Sequence, residues 1–216
     1  MKVVIVSGGQ IDDDFARNQL KNNIYARKIA ADHGMDFFFR NHLTPDLIVG
    51  DFDSVSSEAL KYFKSEGNVE IITLNPMKDD TDTEFAIRTA IEEGATSITL
   101  LGATGTRLDH VLGNIELLGI GLESGVEMEL VDCHNRIRMV SAGTHIFCKE
   151  KQFGKYVSLI PVTPQVKGVT LNGFKYPLSD DALEKFRTLG ISNEIIEETA
   201  SVEFSDGILL LIESRD

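Results

Sequence analysis

The chain has 216 residues, of which 42% are hydrophobic and 25% are charged, and its formal net charge is −13 at pH 7. Its 21 basic residues form no block, which argues against a nucleic acid as a partner. No apolar run reaches the length of a membrane span or of a signal peptide, so we expect no membrane partner and a cytoplasmic location. The two cysteines, Cys133 and Cys148, have neither disulfide-frame nor zinc-site spacing and agree with a reducing compartment.

The first 125 residues alternate between predicted strands and predicted helices. Strands are expected at residues 3–6, 24–31, 43–49, 69–74 and 97–101. Helices are expected at residues 12–22, 56–65, 81–93 and 108–122. This alternation is typical of a parallel sheet covered by helices on both faces, a three-layer α/β domain.

After Gly125 the pattern changes to short strand-like runs separated by turns. They lie at residues 128–131, 137–140, 144–147, 156–160 and 166–171. Residues 202–204 and 208–212 flank Asp206-Gly207, which predicts a β-hairpin. The spacing fits a small all-β sandwich or barrel, and we expect the sandwich. We therefore predict two domains, residues 1–125 and 126–216, divided at the polar break Glu123-Ser124-Gly125.

Acidic residues follow the predicted strands. Asp51 and Asp53 come just after the apolar strand that ends at Gly50. In an extended segment, residues two apart point to the same side, so both carboxylates can face one divalent cation such as Mg²⁺. The alternative is a strand-to-helix turn in which Asp53 or Ser54 caps the next helix.

A second acidic group, Asp79, Asp80 and Asp82, precedes the helix predicted at 81–93. The alternative is again a cap, by Asp80 or Thr81, with Glu84 in the third helical position if Thr81 is the cap.

A third candidate is the glycine loop 102–105, which is followed by Arg107 and Asp109. Such a loop suits an anion, and the Arg107 guanidinium suits phosphate. The alternative is a helix start capped by Thr106. With Asp32, which also follows a strand, these groups would meet at the carboxyl edge of a parallel sheet. This convergence predicts metal-assisted phosphoryl or pyrophosphoryl transfer.

Three site motifs resemble those of the thiamine pyrophosphokinase family. They are P-D-L-I-V-G-D-F-D-S at 45–54, K-D-D-T-D-T-E-F-A-I at 78–87 and G-x-x-G-x-R-L-D-H at 102–110. The segments G-F-K-Y-P-L at 173–178 and I-S-N-E at 191–194 extend the resemblance to the second half. The resemblance implies transfer of the pyrophosphoryl group of ATP to the hydroxyl of thiamine, which releases AMP. It also implies Mg²⁺, the two-domain fold and a homodimer.

The resemblance also implies roles for individual residues at matching positions. Asp51, Asp53 and Asp82 would hold the metal. The other assigned positions are Asp32, Asp79, Asp80 and Thr81 at the nucleotide site, Arg107 at a phosphate, Asp109 at the substrate or acidic shell, and Tyr176, Ser192 and Asn193 in the thiamine pocket. One departure is Asp32-His33-Gly34, where the family usually has D-G-G. If the second position needs a positive φ, His33 fits less well than glycine.

Two other functions fit parts of the same pattern. Asp51-Phe-Asp53 also fits the motif of aspartyl-phosphate phosphatases, in which Asp51 would be a nucleophile. That family places its motif after the first strand, whereas here it follows the third. A non-catalytic sensor of a nucleotide or thiamine compound could keep all of these residues, and it would bind without forming AMP.

Overall fold

The computed structural model describes residues 1–52, 56–75 and 80–216. The chain divides into two compact units, Met1–Cys133 and His134–Asp216. The sequence placed this division between residues 125 and 126. It falls later because a strand at residues 127–131 pairs in parallel with the strand at 97–101, which makes it part of the first unit.

The described residues of the first unit form a parallel sheet and six helices. The strands are β1 Lys2–Val6, β2 Arg27–Ala31, β3 Leu47–Gly50, β4 Glu70–Thr73, β5 Ser97–Leu101 and β6 Glu127–Val131. The helices are α1 Asp13–Asn22, α2 Gly34–Arg40, α3 Ser57–Glu66, α4 Asp82–Glu92, α5 Leu108–Glu116 and α6 Leu118–Ser124. The order across the sheet is β6-β5-β1-β2-β3-β4, and every neighbouring pair is parallel.

The central strands are buried on both faces. Val3, Val4, Ile5 and Val6 are consecutive in β1 and none is exposed to solvent. Because successive side chains of a strand point to opposite faces, a fully buried run requires cover on both sides of the sheet. The predicted three-layer α/β arrangement of the first domain is confirmed.

Two features of the helices differ from the sequence prediction. Helix α2 was not predicted, because its seven residues are too few for a clear helical period, and Phe37 and Phe38 are both buried. The single helix predicted at 108–122 is two helices that meet at Leu117. The break accompanies a change in packing, because no described residue of α5 is buried, whereas Gly121 of α6 is packed tightly against Met128.

The second unit consists almost entirely of antiparallel strands. They are β7 Asn135–Cys148, β8 Tyr156–Pro161, β9 Gln165–Asn172, β10 Leu178–Glu184, β11 Asn193–Glu194 and β12 Thr199–Ser214. The strand order is β10-β9-β12-β7, while β8 pairs with β11 and with β12. A single apolar core, which includes Val166, Val202 and Leu209, fills this unit. The predicted β-sandwich is confirmed.

The predicted hairpin at Asp206-Gly207 is wrong. Residues 199–214 form one strand, β12, which pairs with β7 on both sides of a register shift between Phe204 and Ile208. Gly207 has a φ of 100°, which suits a β-bulge as well as a turn. The two strands predicted at 137–140 and 144–147 are likewise one strand, β7. No helix in the described ranges is long and apolar enough to cross a membrane.

Candidate active site

The strand order of the first unit reverses between β1 and β5, and the loops after these strands are bonded to each other. The Ser7 amide donates to the Leu101 carbonyl at 2.8 Å, and the Gly9 amide donates to the Gly102 carbonyl at 2.7 Å. In open α/β sheets, a ligand crevice lies at such a reversal, outside the carboxyl ends of the strands. The site residues predicted from the sequence are therefore expected to line this edge of the sheet.

Glycines allow the two loops to approach closely. A Cβ atom at Gly9 would lie 2.5 Å from the Gly102 carbonyl oxygen. A Cβ atom at Gly102, whose φ is 62°, would lie 2.6 Å from the Ser7 carbonyl oxygen. Larger residues would push the loops apart. The Gly9 amide donates its hydrogen bond to the Gly102 carbonyl. The role of these glycines is therefore to let the two loops contact each other.

Asp32 follows β2 at the same edge. Its backbone has a φ of 52°, a region that aspartate tolerates better than most residues. Its amide donates to the Val49 carbonyl at 2.9 Å, and its Oδ2 lies 3.0 Å from where a Cβ atom at Gly8 would be. The following residue, His33, has a φ of −59°. The positive φ is thus at Asp32, and histidine in place of the family's glycine fits without strain.

Asp51 follows β3, but the extended geometry predicted for its neighbourhood is wrong. The strand ends at Gly50, and Phe52 has a φ of 60°. This left-handed residue interrupts the alternation that would place Asp51 and Asp53 on one side. A positive φ at a phenylalanine is a strained conformation of the kind found at functional sites. Asp53 and Asp79 lie outside the described residues.

Helix α4 begins beside β1. Thr81 is its N-cap and accepts a bond from the Glu84 amide at 3.2 Å, which confirms the capping alternative for Thr81. Asp82 is the first helical residue, and the exposed Asp80 precedes the cap. In the same turn, the Thr83 hydroxyl donates to the Ser7 hydroxyl at 3.0 Å.

The other two capping alternatives are not supported. Helix α3 is capped by Ser56, whose Oγ accepts a bond from the Ala59 amide at 3.3 Å, so the cap is neither Asp53 nor Ser54. Helix α5 has Arg107 in the N-cap position without a side-chain cap bond, so Thr106 does not cap it.

The pKa of Asp32 is affected by two other predicted site residues, Asp51 and Asp82. Burial raises the pKa of the Asp32 carboxyl, and the negative charges of Asp82 and Asp51 raise it further, against the opposing effect of His33. Asp32 is therefore close enough to each of Asp82 and Asp51 for their negative charges to oppose its ionisation. Asp32 Oδ1 is buried and has no hydrogen-bond partner among the described residues.

This environment fits a divalent cation. A cation would relieve the repulsion and would satisfy a buried carboxylate oxygen. Within residues 1–52, 56–75 and 80–216, no three His, Cys, Asp or Glu side chains are arranged to hold a metal by themselves. Mg²⁺ does not need such a cage, because proteins often hold it with one or two carboxylates together with substrate phosphates.

Arg107 and Asp109 form a solvent-exposed pair at the start of α5. The Arg107 Nη2 donates to Asp109 Oδ2 at 2.6 Å, and its Nε donates to Oδ1 at 3.2 Å. The guanidinium lowers the pKa of Asp109 to about 2, so this carboxylate is ionised at neutral pH. The preceding loop is anchored by Asn114, whose Nδ2 donates to the Ala103 carbonyl at 2.8 Å.

In the second unit, three predicted thiamine-site residues lie close together. The Asn193 side chain accepts from the Tyr176 amide at 3.0 Å and donates to the Tyr176 carbonyl at 2.8 Å. Asn193 is only 4% exposed, whereas the Tyr176 side chain is largely exposed. Ser192 has a φ of 57°, and its amide donates to the Ser158 hydroxyl at 3.0 Å. Asn193 thus holds the loop that carries Tyr176.

Ser7 and Thr83 were not singled out by sequence reasoning. A buried hydroxyl pair has no sequence signature, because 76 residues separate its members. The sequence could have pointed to these residues only through their neighbours, because Ser7 follows a buried strand and Thr83 lies beside Asp82 in an acidic motif.

Comparison with known proteins identifies the family. The sequence model of the thiamin pyrophosphokinase catalytic domain matches residues 18–130, and that of the family's vitamin B1 binding domain matches residues 144–209. The chain belongs to the thiamine pyrophosphokinase family. The predictions of the family and of an enzyme, a thiamine diphosphokinase, are confirmed.

Individual family members are similar over most of their length. The chain is 34% identical to thiamine pyrophosphokinase of Bacillus subtilis over 188 residues, 87% of each protein. The crystal structure of the Bacillus subtilis enzyme matches with a TM-score of 0.90 and 32% identity over the whole of both chains. That of the Geobacillus thermodenitrificans enzyme matches with a TM-score of 0.87 and 34% identity, over 100% of this chain and 98% of the other.

Proposed function

We propose that pyrophosphoryl transfer from ATP to thiamine takes place at the carboxyl edge of the first sheet. The observation that carries the proposal is the partly buried Asp32, which follows β2 at the carboxyl edge of the sheet. Its Oδ1 has no hydrogen-bond partner among the described residues, and it lies within electrostatic reach of Asp51 and Asp82. Mg²⁺ would be held by Asp51, Asp53 and Asp82, with Asp32 completing the acidic shell. When bound, the cation would neutralise charge on the phosphate oxygens of ATP.

The residues around this cluster would orient ATP. The first turn of α4 presents the positive end of a helix dipole, which favours the phosphate groups, and Asp79, Asp80 and Thr81 precede or begin that turn. Arg107 offers a planar donor fork to a phosphate, a role that requires it to share or exchange its bonds to Asp109. Asp109 would then touch the substrate or complete the acidic shell.

Thiamine would be oriented by Tyr176, Ser192 and Asn193. The exposed Tyr176 ring offers an apolar wall, and Asn193 fixes the backbone behind that ring. The thiamine hydroxyl would attack the β-phosphorus in line, forming a new O–P bond while the bond to the α-phosphate oxygen breaks and AMP leaves. A homodimer and a cytoplasmic location are part of the same proposal.

The test is an assay that follows AMP and thiamine diphosphate together, with thiamine, ATP and Mg²⁺ supplied. Asp51→Asn and EDTA should each reduce both products by about 100-fold or more, because cation binding is lost. Asp14→Asn, which changes an exposed carboxylate on α1, is the matched control and should behave as wild type.

Each alternative has its own result. Formation of ADP with thiamine monophosphate would contradict attack at the β-phosphorus. A trapped phosphate on Asp51 would favour the phosphatase mechanism. Binding of ATP or thiamine without AMP formation would favour the sensor. Full activity in EDTA would contradict the role of the cation.

A further inference from the structure

The first turn of α4 contains a buried hydroxyl contact that the proposed chemistry does not use. Thr83 is the second helical residue and is 9% exposed, and Ser7 at the end of β1 is 3% exposed. The Thr83 Oγ1 donates to the Ser7 Oγ at 3.0 Å. Both hydroxyls are buried, so a variant that removes one of them would take this hydrogen bond from the other.

Ser7 is itself held firmly. Its amide donates to the Leu101 carbonyl at 2.8 Å, and its carbonyl lies where any side chain at Gly102 would collide with it. Thr83 therefore attaches α4 to a point that is fixed by both central strands, β1 and β5.

Carboxylates lie next to both ends of this bond. Asp82 directly precedes Thr83. On the other side, Gly8 follows Ser7, and a Cβ atom at Gly8 would come within 3.0 Å of Asp32 Oδ2. The hydroxyl pair thus joins the segment that carries Asp82 to the segment against which Asp32 packs.

The apolar contacts of α4 do not fix the position of its first turn. Ala86, Ile87 and Ala90 are fully buried and hold the body of the helix to the sheet. They begin one turn beyond Asp82, and apolar packing is not directional. A hydrogen bond with defined donor and acceptor geometry is what can fix the first turn to within a few tenths of an ångström.

We propose that Ser7 and Thr83 are positioning residues: they fix the first turn of α4, and with it Asp82, relative to the loop against which Asp32 packs, so that both carboxylates can contribute to the cation site. This inference rests on the proposed cation site. Residues that orient metal ligands without touching the metal typically change metal affinity or activity by about 10–100-fold when mutated.

The experiment compares Thr83→Val, which keeps the shape but removes the hydroxyl, with Thr83→Ser, which keeps the hydroxyl. Thr89→Val is the matched control, because it makes the same chemical change in the last turn of the same helix. Binding of Mn²⁺ alone is measured by electron paramagnetic resonance, and the Mg²⁺ concentration for half-maximal thiamine diphosphate formation is measured in parallel. Thermal unfolding is recorded for every variant.

We expect Thr83→Val to weaken Mn²⁺ binding and to raise the half-maximal Mg²⁺ concentration by about 10-fold, while KM for thiamine stays near wild type. Thr83→Ser should restore both values, and Thr89→Val should leave them unchanged. Ser7→Ala should match Thr83→Val, and the double variant should be no worse than either single variant. If Thr83→Val does not fold, the same measurements on Ser7→Ala and Thr83→Ser test the proposal.

Unchanged Mn²⁺ binding in Thr83→Val or Ser7→Ala would overturn the inference, even if the unfolding temperature fell, because the pair would then only stabilise the fold. Failure of the wild type to form thiamine diphosphate, or its full activity in EDTA, would instead contradict the proposed function. The two failures are distinguished by the wild-type measurement.

Discussion

Asp32 shows how a residue of the proposed site can oppose stability. Burial is the main cause of its raised pKa, so the folded protein disfavours the ionised carboxylate. Between the ordinary pKa of 3.8 and the raised value, the folded state binds more protons than the unfolded chain. The contribution of Asp32 to the free energy of unfolding therefore falls as pH rises through that window. Above it, the ionised carboxylate destabilises the protein when no cation is bound.

Asp32→Asn removes this charge, so we expect the variant to unfold at a higher temperature than wild type at pH 7.5 in EDTA, by about 1–3 °C. The gain should vanish as the pH is lowered below 3.8, because Asp32 then becomes protonated in the unfolded chain as well as in the folded protein. Scanning calorimetry across pH measures the difference. A lower unfolding temperature for Asp32→Asn at pH 7.5 would contradict the repulsion between Asp32, Asp51 and Asp82.

Gly34 is the residue whose replacement should be most damaging in this region. A Cβ atom there would overlap the carbonyl oxygen of Val6, which is backbone and cannot move aside. We expect Gly34→Ala to lower the free energy of unfolding by about 3 kcal/mol or more, measured by urea denaturation.

Gly113→Ala is the control for that measurement, because no atom lies within 4 Å of the added methyl group. Alanine is favoured over glycine inside a helix, so this variant should gain up to about 1 kcal/mol. Wild-type stability in Gly34→Ala would show that α2 does not pack against β1 as described.

At the scale of elements, β12 decides the architecture of the second unit. It pairs with β7 along its whole length, and its other edge pairs first with β9 and then with β8. The change of partner follows the bulge between Phe204 and Ile208. A bulge increases the local twist, which lets one strand contribute to both layers of a sandwich.

Gly207→Ala tests this bulge. The added Cβ atom would lie 2.8 Å from both the Gln165 carbonyl oxygen and the Thr163 hydroxyl oxygen, at a φ of 100°. We expect the free energy of unfolding to fall by about 2–3 kcal/mol in urea denaturation. Gly143→Ala, at a φ of 147° with open space around it, should cost about 1 kcal/mol because only backbone strain remains. If Gly207→Ala and Gly143→Ala lowered the free energy of unfolding equally, packing at the bulge would contribute nothing to stability.

At the scale of the whole molecule, α5 leaves apolar surface uncovered. Leu108 is 71% exposed and Leu112 is 64% exposed, and residues four apart lie on the same face of a helix. An acidic protein with a net charge of −13 keeps its copies apart unless apolar contacts offset the repulsion. These leucines are the surface that we propose for the homodimer.

The paired change Leu108→Ser and Leu112→Ser should convert the dimer to a monomer, measured by light scattering after size-exclusion chromatography. Ile24→Ser is the control, because Ile24 is 92% exposed but lies before β2, outside α5. A monomeric wild type at micromolar concentration would contradict the homodimer. A dimeric double variant would move the interface away from α5.

The sequence by itself determined the alternation of the first five strands with most of the helices of the first unit, because buried runs such as residues 3–6 and 47–49 differ plainly from the amphipathic period of α4. It did not determine α2, the division between α5 and α6, or the place of β6 in this unit. It also determined the family and the candidate site residues, because short motifs carry their chemistry locally. Tertiary structure alone decided the continuous β12, the positive φ of Asp32 and Phe52, and the Ser7–Thr83 bond. The strand, Asp32 and the hydroxyl pair each depend on a partner distant in the chain, and local residue patterns do not record which segment will supply that partner.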